Sequence, residues 1–175
     1  MKFPRLLSAF LAAILLFSLA SCAKTPGTAP SGMISASPGV ADFDLFVPKE
    51  WIVTETGNAA SAYKSDTDPT SVSVMSWSMP YIDSAVDEWW SGYEAEFTLI
   101  FSDFTVEIEG EDTLLGASGA KKYVYTGTLG ENTYRYTQYA TVRAGVLYLM
   151  TFTELAEGTD HSTEFTSIVE NFAWR

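Results

Sequence analysis

An α+β fold, built as a central and mainly antiparallel β-sheet flanked by two helices, follows from three features of the sequence. From Phe104 onward, short runs alternate apolar and polar residues and are divided by brief turn signals, as consecutive hairpins require. Two stretches, one ending at Ile100 and one at Phe172, carry apolar residues at helical spacing instead. The order strands, helix, strands, helix then places the helices against one sheet rather than between parallel strands. The 175 residues suffice for one ordinary domain, and 47% hydrophobic with 18% charged residues suits a packed core rather than a disordered chain.

Residues 1–21 do not belong to that domain. Lys2 and Arg5 precede a near-continuous apolar run, Leu6 to Leu19, which the small residues Ala20 and Ser21 close. A positive start, an apolar core and a small-residue end make a secretory signal, and the core is too short for a comfortable membrane span. Leu19-Ala20-Ser21-Cys22 resembles the lipobox of bacterial lipoproteins: an aliphatic residue, two small ones, then cysteine. The resemblance implies diacylglyceryl transfer to the Cys22 sulfur, cleavage before it, and residence on the outer side of a bacterial cytoplasmic membrane. One acyl chain anchors marginally, whereas two hold on the order of 20 kcal/mol at ~0.8 kcal/mol per buried CH₂. Cys22 is the single cysteine. Disulfides are thereby excluded within the chain, and a thioether there leaves no thiol for nucleophilic, metal or redox chemistry.

Residues 22–40 are expected to be the lipidated cysteine and a flexible linker. Ala23 to Gly39 contains Pro26, Gly27, Pro30, Gly32, Pro38 and Gly39 and shows no apolar periodicity. As a coil it would span roughly 20–25 Å. The folded domain is expected over residues 41–175.

Ala41 to Val47 sets Phe43, Leu45 and Val47 on one face and reads as a half-buried strand. Pro48-Lys49-Glu50 turns the chain, Trp51 to Thr54 and Ala60 to Lys64 are extended, and Ser65 to Pro69 is a dense turn signal. A longer strand carries Val72, Val74, Met75, Trp77 and Met79 to Pro80. Ser84 as N-cap, with Asp87 and Glu88 in the first turn, opens a helix whose stripe is Val86, Trp90, Tyr93, Phe97 and Ile100. Phe104, Val106 and Ile108 return to period two, Gly110 turns, and Thr113 to Leu115 is short. Gly116 to Gly119 reads as a flexible link. Lys121 to Thr128, Thr133 to Arg143 and Val146 to Thr153 are strong strands rich in Tyr, Val and Thr, with Leu129 to Asn132 and Ala144-Gly145 as hairpin turns. Thr159 or Asp160 caps a closing helix with Phe165, Ile168, Val169 and Phe172 on its core face.

Phe43-x-Leu45-x-Val47-Pro48-x-x-Trp51 resembles the opening of PsbP/Mog1-like domains, and Val146 to Thr153 with the following helix resembles their closing strand and helix. The resemblance runs from about Asp42 to Phe172 and rests on core-packing motifs. It implies a central antiparallel sheet with flanking helices. Members include a photosystem II accessory protein, a nuclear-transport factor and bacterial lipoproteins of unassigned role, so it implies binding or assembly rather than a shared reaction.

The formal net charge is −12, and loss of residues 1–21 removes two cations and no acid, leaving −14. Such a surface repels nucleic acid and anionic headgroups. The one histidine, His161, reads as a solvated residue at the start of the last helix. Gly116-Ala117-Ser118-Gly119 lacks the spacing of a nucleophile elbow, and Gly127-Thr128-Leu129-Gly130 lacks the ending of a phosphate loop. Asp66-x-Asp68 and Glu107-x-Glu109-x-Glu111-Asp112 offer carboxylates without a calcium-loop pattern and read as solvent faces, so no metal or cofactor is expected. No catalytic residues emerge. Aromatic residues are abundant, at 5 Trp, 9 Tyr and 11 Phe. Trp89 adjoins Trp90 on the helix, and both are not expected to reach the same core. Trp77, Trp89, Tyr134 and Tyr136 are therefore the candidate contacts for a ligand or partner. The expected role is a non-catalytic binding or accessory domain, tethered to the membrane through diacylglyceryl on Cys22 and serving a protein or cell-envelope partner. Glycan or small-ligand binding by the aromatics is the alternative, and an acid-dependent hydrolase a more distant one.

Overall fold

The computed structural model describes residues 27–56, 59–79 and 85–175; Cys22, the signal segment and Ser84 lie outside them. In chain order the elements are β1 (Met33–Ser35), β2 (Phe43–Asp44), β3 (Phe46–Pro48), β4 (Ile52–Thr56), β5 (Ala59–Ser65), β6 (Asp68–Ser78), α1 (Ala85–Ile100), β7 (Ser102–Leu115), β8 (Ser118–Leu129), β9 (Asn132–Arg143), β10 (Val146–Leu155), α2 (Ser162–Asn171) and β11 (Ala173–Trp174). Seven strands form one antiparallel sheet in the order β4-β5-β6-β10-β9-β8-β7, and β1 with β3 and β2 with β11 form two small ladders. The mostly antiparallel sheet with two helices is the architecture expected, although richer in strand.

The four strands after α1 form a meander, because each junction has a turn that fits the strand twist. Gly116-Ala117 and Ala144-Gly145 have positive φ at both residues (53° and 65°, then 50° and 76°), the backbone of the tightest hairpin turns. The expected flexible link at Gly116 is thus a two-residue turn between Leu115 and Ser118. Gly110, at φ 65°, shifts the register of β7 without ending it, so residues 102–115 form one bulged strand rather than two.

Alternation along β10 sends its side chains to two cores. Tyr148, Met150 and Phe152 join Val72 and Val74 of β6, Leu45 and Val47, and Phe165 and Ile168 of α2. Leu147 and Leu149 join Trp89 and Trp90 of α1 and Tyr123 and Tyr125 of β8. The helices therefore lie on opposite faces of the sheet. Each fully buried large apolar side chain contributes about 1.5–3 kcal/mol, which is why two such layers hold a domain of this size.

Three expectations are corrected here. Trp89 and Trp90 are both buried, at 5% and 3% exposed, while Tyr93 and Ile100 of the expected stripe are at 39% and 57%. Neighbours on a helix differ by about 100°; Trp90 stacks on Tyr123 at 4.3 Å and Trp89 meets the same ring edge-on at 5.8 Å, so one tyrosine receives both indoles. The second part of the expected linker is folded: β1 pairs with β3, Ala36 is buried, and the Gly27 N–H donates to Asp44 Oδ2 at 2.9 Å. His161 is 4% exposed rather than solvated.

The last residues clasp the first folded ones. β11 pairs with β2, and the Arg175 guanidinium binds Asp44 Oδ1 at 2.8 Å with both side chains almost fully buried. Arg175 Nη1 also donates to the Ala41 carbonyl at 2.9 Å.

Candidate functional site

The four aromatic positions singled out in the sequence do not make one platform. Trp77 is half-buried on β6 beside the α1-side core. Tyr134 and Tyr136 are half-buried on β9 with rings 6.3 Å apart, and Tyr136 stacks on Tyr125 at 5.0 Å. In register, Trp77 faces Leu147 and Tyr136 faces Thr153, six residues away along β10, or roughly 20 Å. Trp89, buried beneath α1, is unavailable as a surface contact. Cys22 lies outside the described residues.

The concave surface that the fold does build lies elsewhere. The β7–β8 turn and the chain leaving α2 enclose an open groove of about 550 Å³, lined by Leu114, Gly116, Ala117, Val169, Glu170, Phe172, Ala173 and Trp174. Trp174 organises it. Its Nε1–H donates to the Leu115 carbonyl at 2.9 Å, and its ring meets Tyr148 at 4.8 Å and Phe172 at 4.9 Å, both edge-on. The Arg143 guanidinium lies 4.1 Å over the same ring, a cation–π contact. Burial, with the hydrogen bond to Asp42 as the second cause, pushes the Tyr148 phenol up to about 12, so it stays neutral. Apolar walls, one indole and one cation at the rim supply adhesion. The lining holds no Ser, Cys, His or Lys to serve as a nucleophile, and Glu170 is its one titratable residue.

A second constellation surrounds His161. Its Nδ1 contacts Glu164 Oε2 and Lies 3.1 Å from Lys64 Nζ, its Nε2 lies 3.6 Å from Asp68 Oδ2, and its backbone N–H donates to Glu154 Oε2 at 3.3 Å. The side-chain hydrogen bond from Thr70 is the largest cause holding the Asp68 carboxyl below its ordinary range; burial opposes it, and the Thr70 backbone N–H and then the charges of His161 and Lys64 add to it. These contacts pin the first turn of α2 to the β5–β6 hairpin. The acids weighed as calcium ligands are engaged separately: Glu107 with Arg135 at 2.8 Å, and Glu109 with the Trp90 indole N–H at 3.2 Å. Among the described residues no three His, Cys, Asp or Glu converge as a metal set.

Sequence reasoning missed both features for a common reason. The groove joins residues near 115 to residues near 173, and the His161 cluster joins residues near 65 to residues near 160. The usable signal was the Phe172-Ala173-Trp174 run continuing past the helical stripe.

No family model matches the chain, and no curated protein matches it in sequence. Solved structures do. A protein from Bacteroides thetaiotaomicron is similar at TM-score 0.55 and 15% identity over 83% of this chain, which spans only 49% of that one. The cyanobacterial PsbP protein, CyanoP, of Synechocystis is similar at TM-score 0.56 and 14% identity over 90% of this chain and 99% of that one. A Pseudomonas aeruginosa protein of unknown function is similar at TM-score 0.56 and 14% identity over 83% and 99%. At these identities the likeness is one of fold. Among the described residues no helix is long and apolar enough to cross a membrane.

Proposed function

We propose that the chain is a lipid-tethered, extracytoplasmic accessory domain that works by binding a membrane or cell-envelope partner and not by catalysis. The observation that carries this reading is Leu19-Ala20-Ser21-Cys22, which resembles a lipobox and ends five positions ahead of Gly27, a residue held by Asp44. The PsbP-like arrangement of sheet and helices supports the accessory role, since the resemblance drawn from the sequence implies assembly rather than a reaction. A groove whose lining lacks a nucleophile–base pair agrees with it.

Radiolabelled palmitate should enter the wild-type protein and not Cys22→Ala, and in-cell crosslinking from the anchored protein should return a repeatable envelope partner. Label retained in Cys22→Ala overturns the anchor. Turnover in a broad hydrolase screen, lost in a point variant of the purified protein, overturns the accessory role.

A further inference from the structure

Gly27 is held, not trailing: its N–H binds Asp44, and Asp44 is buried against Arg175. It lies five positions after Cys22, and a fully extended chain of five steps reaches at most about 18 Å. With Cys22 lipidated, the reading above on which this inference rests, Gly27 stays within that distance of the headgroup layer. Because residues from Gly27 onward are engaged with the domain, the roughly 20–25 Å expected of a free linker to residue 39 does not apply.

That point selects one end of the domain. Asp44 pairs with Ala173 in the β2–β11 ladder, and Trp174 follows on the groove. The same end presents Leu114 at 62% and Val40 at 86% exposed, the latter in the loop whose carbonyls Arg175 grips. Arg143 rests on Trp174, and among the described residues no carboxylate closes to an ion pair with it. Exposed aliphatic groups, an indole and a guanidinium free to meet a phosphate are the side chains that settle at a bilayer's headgroup–acyl boundary. Glu170 on the groove wall and Asp42, bonded to the Tyr148 hydroxyl, also lie at this end, and the far end, beyond the β8–β9 turn, carries Glu131 and Glu157. The 12 residues of β8 put the two ends roughly 36 Å apart.

We propose that the end bearing Val40, Leu114, Arg143 and Trp174 docks on the phospholipid surface to which Cys22 is anchored, so that the domain stands on the membrane in one orientation. The acidic remainder, part of a chain that carries −14 once residues 1–21 are lost, is repelled by anionic headgroups and reinforces that orientation.

The full lipidated chain allows a direct test, because Cys22 is its only cysteine and a thioether blocks it. A dye is placed on Ala117→Cys or on Glu131→Cys, and the proteins are reconstituted into phosphatidylcholine vesicles containing a nitroxide-bearing phosphatidylcholine. Quenching of the dye at 117 should exceed that at 131 several-fold. Adding Leu114→Asp with Arg143→Glu, with folding checked by circular dichroism, should cut the difference several-fold, leaving only what the short tether imposes. Equal quenching at the two sites, or a difference left unchanged by the double change, overturns the docking surface. A wild-type protein that itself takes the thiol dye overturns the anchor, a failure distinct from that of the surface.

Discussion

Replacing Gly116 by alanine should destabilise the domain by about 2–5 kcal/mol, whereas replacing its neighbour Ala117 by glycine should stabilise it slightly. Both residues occupy the left-handed region, at φ 53° and 65°, where a β-carbon costs about 1–2 kcal/mol. At Gly116 the β-carbon would also lie 2.8 Å from Trp174 Nε1, 2.9 Å from its Cδ1 and 3.0 Å from Phe172 Cδ1. Those rings cannot swing aside, because Tyr148, Phe43 and Arg143 enclose Trp174. Forced repacking costs about 1–3 kcal/mol, and displacing the indole from the Leu115 carbonyl removes about 1 kcal/mol more. The gain from a stiffer unfolded chain, about 0.4–1 kcal/mol, offsets only part of this. Ala117→Gly relieves the backbone strain and loses the same unfolded-state term, a net gain of about 0–1 kcal/mol. Equilibrium urea unfolding of the lipid-free domain, followed by tryptophan fluorescence, gives both values. A Gly116→Ala protein within about 0.5 kcal/mol of the parent would refute the packing argument, since that is the scatter of an ordinary surface change.

Arg175→Met should destabilise by about 3–5 kcal/mol in the same assay, because it leaves the buried Asp44 carboxylate without its cation; a loss below about 1 kcal/mol would mean that water replaces the guanidinium. Asp68 and Asp160 both have carboxyls held below the ordinary range, Asp68 by Thr70 hydrogen bonds and Asp160 by the Ser162 N–H. A depressed folded value contributes stability that is present above the unfolded value near ~3.9 and lost as pH falls through the folded one. The urea midpoint should therefore drop on acidification below about pH 4, with a shallower slope in Asp68→Asn plus Asp160→Asn; an unchanged slope would remove these acids from the account. At the alkaline end, burial pushes the Tyr123 and Tyr148 phenols up to about 12. Raised values contribute stability that is present below the unfolded value near ~10 and lost as pH rises toward the folded ones, so phenolate absorbance of the native protein should lag that of the urea-unfolded chain between ~10 and ~12. Coincident titration curves would contradict the burial of these rings.

What could be read in the sequence was what neighbours in sequence decide. Alternation at Phe104 to Ile108, the Ala144-Gly145 turn and the Phe165, Ile168, Phe172 stripe are local patterns, and each has its element in the structure. Residues 27–39 show no alternation, yet they fold because β3 offers a ladder and Asp44 an acceptor, neither visible from within the segment. His161 is an ordinary polar residue at a helix start until Lys64, Asp68 and Glu154 close around it from distant strands. Trp89 misled because the sheet beneath α1 is itself aromatic, and a surface of Tyr123 and Tyr125 accepts two successive indoles where a narrower aliphatic seam would accept one.

The join between β6 and β10 has a kinetic meaning. On one side of it lie β4, β5 and β6, and on the other the β7–β10 meander. Hairpins within each half bring residues close in sequence together and form in microseconds. The join instead pairs Val72 with Phe152 and Val74 with Met150, across the whole of α1 and three strands. Closing so large a loop precedes any reward from the contacts it makes, so truncating Phe152 is expected to slow refolding in stopped-flow more than truncating a residue of a single hairpin. The residues that unite the sheet's halves are also those over which α2 lays Phe165, which stacks on Phe152 at 4.4 Å. The helix that completes one core thus also covers the join that must close the longest loop in the sheet.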